Sequence, residues 1–370
     1  MHDPRIKAIA KTAVNFSVSL QRGEKLLIDI TDGAEDFALA LVEAAHEAGG
    51  FPYVNLQTSR LNRALILDGS EESWAAWYEY ERVRMEDMDA YITVRRNDNP
   101  AELSDVPGEK LALYNKYYGK LHYGIRLPKT KWCVLRYPNS AMAQAAGMSF
   151  EAFEDFFFRA CGVDYAKMNE VVRPLVELVK RTDRVRIIAP GTDISFSIKD
   201  QGPKDPICGI FNIPCGEVGF PVIPDSVNGV IAYNVPSLFQ GFMFQDIRFR
   251  FEGGRIVEAS SNDTGRINRV LDTDENARRI GEFAMSFNPH VTRPIFDTLF
   301  DEKMVKSIHF TPGNSPINPS GIHWDIVQSQ DAKDGGGEIW FDGVLIRKDG
   351  LFVLQDLENI NPEKIFPLIS

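Results

Sequence analysis

The chain has 370 residues, of which 44% are apolar, 25% charged and 11% aromatic. That is the composition of a globular protein, not of a disordered or fibrous one. Forty-one Lys and Arg face 52 Asp and Glu, a formal net charge of −11, which argues against nucleic acid and against an anionic membrane surface as partners, because both demand a basic face.

Cys133, Cys161, Cys208 and Cys215 form no C-x-x-C pair, so neither a disulfide framework nor a thiolate zinc site is expected. The N-terminus, Met-His-Asp-Pro-Arg-Ile-Lys, has no apolar signal core behind it, and no apolar run reaches the ~18 residues of a membrane span. The expectation is a cytoplasmic protein.

In chain order, residues 25–30 read as a strand, 31–33 as an Asp-containing turn and 34–50 as an amphipathic helix closed by Gly49-Gly50. That succession is a β-α unit. Residues 52–56 suggest the next strand. Ser73 can cap a helix carrying Trp74, Trp77 and Tyr80. Residues 90–94, 131–135 and 185–188 read as strands, and 149–159 and 165–181 as helices. The alternation predicts an α/β domain with a largely parallel sheet over residues 1–183. It contains no G-x-G-x-x-G and no Walker sequence, so no nucleotide site is expected there. Tyr114, Tyr117, Tyr118, His122 and Tyr123, interleaved with Lys116 and Lys120, read as a packed aromatic cluster in so acidic a chain.

Beyond residue 183 the character changes. Gly253-Gly254, Asp342-Gly343 and Asp349-Gly350 punctuate strand-like runs and supply the positive φ that tight hairpins require. Residues 184–370 are therefore expected to form an α+β domain with a mixed or antiparallel sheet. Residues 274–287 are read as its one clear helix, with Ala277, Ile280, Ala284 and Phe287 on the apolar face and Glu282 off that face.

The second domain carries the candidate chemistry. In Gly321–Ile326, strand alternation points Ile322, Trp324 and Ile326 to a core, and His323 and Asp325 together to the other face. An imidazole and a carboxylate so placed can both reach a divalent metal. His309 alternates likewise with Ile308 and Phe310. Glu217 lies on a bend beside Pro214 and Gly216. Two His and three carboxylates, with no Cys, exceed the usual protein ligand set of one ion. They suit two divalent ions ~3.5–4 Å apart, of the zinc, cobalt, manganese or magnesium class.

The ordered motifs then become specific. Gly191-Thr192-Asp193 with Phe196–Lys199, Asn212-Ile213-Pro214 with Gly216-Glu217-Val218, and Ser226–Gly229 come first. Gly281-Glu282-Phe283 with Asn288-Pro289, Asp301-Glu302-Lys303, His309, and Ser320 with His323-Trp324-Asp325 follow. Together they resemble the aminopeptidase T / aminopeptidase S / PepS family of metallo-aminopeptidases.

The resemblance implies a two-domain cytosolic peptidase, commonly a homodimer, that releases N-terminal amino acids from peptides. It assigns metal ligation to Glu217, Glu282, His309, His323 and Asp325, with Glu217 and Glu282 as the catalytic carboxylates and Glu217 as the bridge between two ions. Pro316 stands where the family carries a Tyr seven residues after the first His. The scaffold is also similar to a mononuclear Fe(II) ring-cleaving dioxygenase family, whose triad matches His309, His323 and Asp325. A one-iron site does not need Glu217 and Glu282, which favours the hydrolase. A non-catalytic metal- or peptide-binding relative is the third alternative.

Overall fold

The computed structural model describes residues 3–96, 98–203 and 207–369; residues 1–2 of the N-terminal reading lie outside them. The chain divides into two compact units. One is the chain up to Gly162 together with Gly209–Pro214, and the other is Val163–Cys208 together with the chain from Cys215 onward. The helix Tyr165–Lys180, which the sequence placed before a boundary at residue 183, belongs to the second unit, as does the strand Arg184–Ala189.

The first unit is built on a five-stranded parallel sheet. Its order is Phe51–Gln57, Lys25–Thr31, Ala90–Arg95, Lys131–Arg136, Asn212–Ile213. Leu26, Leu27 and Ile28 are all buried, as a strand covered on both faces requires. Helix Glu71–Glu86 is capped three residues before the expected position. Ser70 is the N-cap, and Ser73 is its reciprocal partner in a capping box.

Among the described residues, the second unit holds two large antiparallel sheets and the two-stranded ribbon Ser237–Phe239 with Phe242–Phe244. The larger has eight strands, ordered Arg255–Ser260, Arg248–Glu252, Asn228–Ala232, Thr192–Ser197, Arg184–Ala189, Glu338–Phe341, Val344–Lys348, Leu351–Phe352. The hairpins sit where the Gly-containing pairs predicted: Asp342 and Gly343, and Asp349 and Gly350, all take positive φ. The smaller sheet runs Asn318–His323, Ser307–Ser315, Ile280–Ser286, Glu217–Pro221, with Ile326–Ser329 also paired to Ser307–Ser315. Phe196 of the larger sheet meets Phe283 and Phe310 of the smaller at 5.2 and 5.3 Å between ring centroids, and Phe220 joins them.

The helix expected over 274–287 is not formed. Ile280–Ser286 is a strand at the centre of the smaller sheet. Its residues are buried on both faces apart from the partly buried Glu282, so the polar alternation that signals a strand is missing and the remaining apolar spacing fits a helical period by accident. Gly281 marks a bulge: a Cβ there would lie 2.5 Å from the Gly313 carbonyl oxygen. No helix among the described residues is long and apolar enough to cross a membrane.

Candidate metal centre

The smaller sheet sorts its side chains by register. Ser286 pairs with Glu217, Ala284 with Gly219 and His309, and Glu282 with Pro221 and Thr311. Paired residues share a face, so Glu217, Glu282, His309 and Thr311 project to one side. Phe220, Phe283 and Phe310 project to the other, into the aromatic core. Ala284 and Gly219 keep the middle of the polar face low. Gly219 is required to be small, because a Cβ there would overlap Glu282 Oε1.

Three ligand-type atoms, one each from Glu217, Glu282 and His309, lie within 4.8 Å of one another. Asp325 joins them: its Oδ1 is 3.9 Å from His309 Nε2 and 3.3 Å from His323 Nε2. The structure thus brings all five sequence-derived candidates together, Glu282 from a strand and not from a helix. Strand Asn318–His323 ends at His323, and Trp324-Asp325 link it to Ile326–Ser329. The alternation expected of 321–326 holds in burial through Trp324 and stops at the buried Asp325. Ile322, Trp324 and Ile326 are buried, and the His323 side chain is 38% exposed. Trp324 anchors the turn, stacked on Phe239 at 4.6 Å and donating Nε1–H to Ser237 Oγ at 2.8 Å. Asp325 is also buried, as the acceptor of the Thr311 hydroxyl at 2.5 Å. Pro316 and Ile317 form the tight turn between the two strands that carry the histidines.

Each imidazole is oriented from behind. His309 Nδ1 faces the Glu302 carbonyl at 3.2 Å, and His323 Nδ1 faces the Asn314 carbonyl at 2.9 Å. When Nδ1–H donates to a carbonyl, Nε2 presents its lone pair to the cluster, which is the tautomer a metal requires.

Burial raises the Glu217 and Glu282 carboxyls above the usual range; Lys303 opposes this at Glu217, and His323 at Glu282. Burial lowers His309. At His323, burial opposes the cation, but the Asp325 carboxylate outweighs it and lifts the imidazole to about 10. Burial also disfavours the Asp325 anion, yet His323 and His309 hold it well below the usual carboxylate range.

Two participants were not assigned from sequence. Lys303 is fully buried, with Nζ on Glu217 Oε1 and 2.6 Å from Glu302 Oε1. Glu302 in turn hydrogen-bonds Asp325. Both stand in the Asp301-Glu302-Lys303 motif, but a Lys beside two acids reads as a solvated charge until its burial is known.

These residues suit a divalent ion on their own chemistry. Glu217 Oε2 is buried and has no hydrogen-bond partner among the described residues, a costly condition without a cation. Oxygen and imidazole donors converge on the same space, and no thiolate belongs to the group.

Comparison with known proteins agrees. Residues 2–352 match the family described as thermophilic metalloprotease (M29). The chain belongs to that family. It is therefore a metalloprotease, a hydrolase whose chemistry uses a divalent metal. Aminopeptidase T of Thermus aquaticus is 26% identical over 343 residues, covering 82% of this chain and 84% of the relative. Aminopeptidase AmpS of Bacillus subtilis is 23% identical, covering 80% and 82%. The solved structure of wild-type AmpT from Thermus thermophilus superposes with a TM-score of 0.77 at 23% identity, over 95% of this chain and 99% of that one. The structure of 2,5-dihydroxypyridine dioxygenase from Pseudomonas putida KT2440 has a TM-score of 0.57 at 10% identity, over 95% and 98%. That second likeness is one of fold.

Proposed function

We propose that this M29 metalloprotease is an aminopeptidase that removes N-terminal residues from peptides, with two divalent ions held by Glu217, Glu282, His309, His323 and Asp325 in a catalytic second unit. The supporting observation is the meeting of two imidazoles and three carboxylates around the buried, unpartnered Glu217 Oε2. Two imidazoles and three carboxylates exceed the usual protein ligand set of one ion and suit a pair. The names of the relatives support the exopeptidase reading.

Bound ions of this class polarise a scissile carbonyl and lower the pKa of a coordinated water. The chain's own residues supply the rest. Glu217 offers Oε2 while Lys303 retains Oε1. Glu282, on the same face as Glu217 and His309, is the carboxyl we assign to take a proton from the attacking water and pass it to the departing amine. His323 forms the solvent-facing edge by which a peptide terminus enters. A cytoplasmic homodimer is part of the same reading and is supported by the family resemblance.

The test is metal analysis of the purified protein, followed by assay of free-amino and N-acetylated peptides with zinc, cobalt or manganese. About two ions per chain, and release of the first residue from free-amino peptides alone, are expected. One bound iron with dioxygen uptake, or cleavage indifferent to N-acetylation, would overturn the assignment.

A further inference from the structure

We infer that Lys303 is a positioning residue of this centre: a fixed internal cation that holds Glu217 by one oxygen and keeps the acid cluster folded when divalent ions are withdrawn. The inference rests on the metal-centre reading above.

Its placement is set by backbone, not by the reach of a flexible side chain. Helix Thr298–Asp301 delivers the segment, capped by Asp297. The buried Asp301 carboxylate accepts from the Ile295 and Phe296 amides at 2.7 and 2.9 Å. The Lys303 amide donates to the Phe300 carbonyl at 2.9 Å, and the Lys303 carbonyl accepts from the Asn288 amide at 3.2 Å. Asn288 also holds the Glu217 side of the site. Its Nδ2 donates to the Cys215 carbonyl at 2.8 Å. Gly216 packs so closely that a Cβ there would lie 2.9 Å from the Asn288 amide nitrogen. One asparagine therefore ties the backbone that carries Lys303 to the backbone beside Glu217.

A buried lysine is expensive, and a chain needing only volume there would do as well with methionine. What methionine lacks is charge. Glu217, Glu282 and Asp325 repel one another at short range, Glu302 hydrogen-bonds Asp325, and Lys303 is the ammonium that touches Glu217 and Glu302. By engaging Glu217 Oε1, it also settles that Oε2 is the oxygen facing the imidazole of His309, 3.7 Å from its Nδ1.

The experiment compares wild type, Lys303→Met, Glu217→Gln and the double variant, each purified with zinc. Melting is then followed with zinc in excess and after chelation. In chelator, Lys303→Met is expected to melt about 5–10 °C below wild type. In zinc, it should lose less than a third of that. Adding Glu217→Gln removes the carboxylate that Lys303 engages, and should recover at least half of the loss in chelator. Equal losses with and without zinc, failure of Lys303→Met to fold even in zinc, or no recovery in the double variant would each show a packing role and overturn the inference. Wild type that binds no zinc would instead sink the metal-centre reading beneath it.

Discussion

Gly219 offers the sharpest test of the site's geometry, because it touches function without touching the core. Gly219 pairs with Ala284, directly across from His309 on the polar face of the smaller sheet. A Cβ added there would overlap Glu282 Oε1 and stand 3.3 Å from the Ala284 Cβ. The backbone and Ala284 can accept it with little shift, whereas the Glu282 carboxylate must retreat by about 1 Å to regain ordinary contact. A misplacement of about 1 Å in a reacting constellation costs on the order of 10²-fold in rate. Gly219→Ala is therefore expected to lower kcat/KM about 10²-fold on an N-terminally free peptide, while its melting temperature stays within a few degrees of wild type. Metal content should be measured alongside. An activity within threefold of wild type, at equal stability and metal loading, would mean that Glu282 has no demanding position in the reaction. The argument from register would then fail.

Other consequences are open to direct measurement. Asp325→Asn should cut metal content and lower kcat/KM by about 10²-fold or more, with an unchanged far-ultraviolet circular dichroism spectrum; undiminished turnover would remove Asp325 from the centre. Trp324→Ala deletes a fully buried ring that stacks on Phe239 and packs at a tilt against Phe244, and urea titration should show a loss of about 3–5 kcal/mol. In the first unit, burial, then Arg126 and Arg95, pull His122 down from 6.5 to about 3. Between those values the unfolded chain binds more protons than the folded one, so stability must fall as pH drops through that window. His122→Phe should flatten the melting temperature between pH 6.5 and 3, and a slope identical to wild type would contradict this.

The five candidate ligands were legible for unequal reasons. His323 and Asp325 announced themselves through local alternation, because Ile322, Trp324 and Ile326 lie in the core and leave one face for the polar pair. Glu217 and Glu282 had weaker local signals, and the order of the motifs found them instead. Glu282 lies beside Glu217 and His309 as a candidate ligand, but on a strand and not on the expected helix, since a strand buried on both faces shows no period of two. Lys303 and Glu302 were in view as a motif, yet nothing local says that a lysine between acids is buried. That depends on Asn288 and Phe300, residues brought to it by the fold.

What the sequence alone determined is therefore what short-range physics encodes. Parallel strands alternate with helices early in the chain, and Gly-driven hairpins follow later. Together they settled the mixed α/β architecture, and ordered motifs named the family. Only the tertiary structure decided which strand lies beside which. Pairing Glu217–Pro221 and Ser307–Ser315 on either side of Ile280–Ser286 is a choice between distant segments, made by the aromatic core beneath them. Register across that sheet is what turns scattered acids and imidazoles into a single cluster, because a shift of one residue would send each of them to the opposite face.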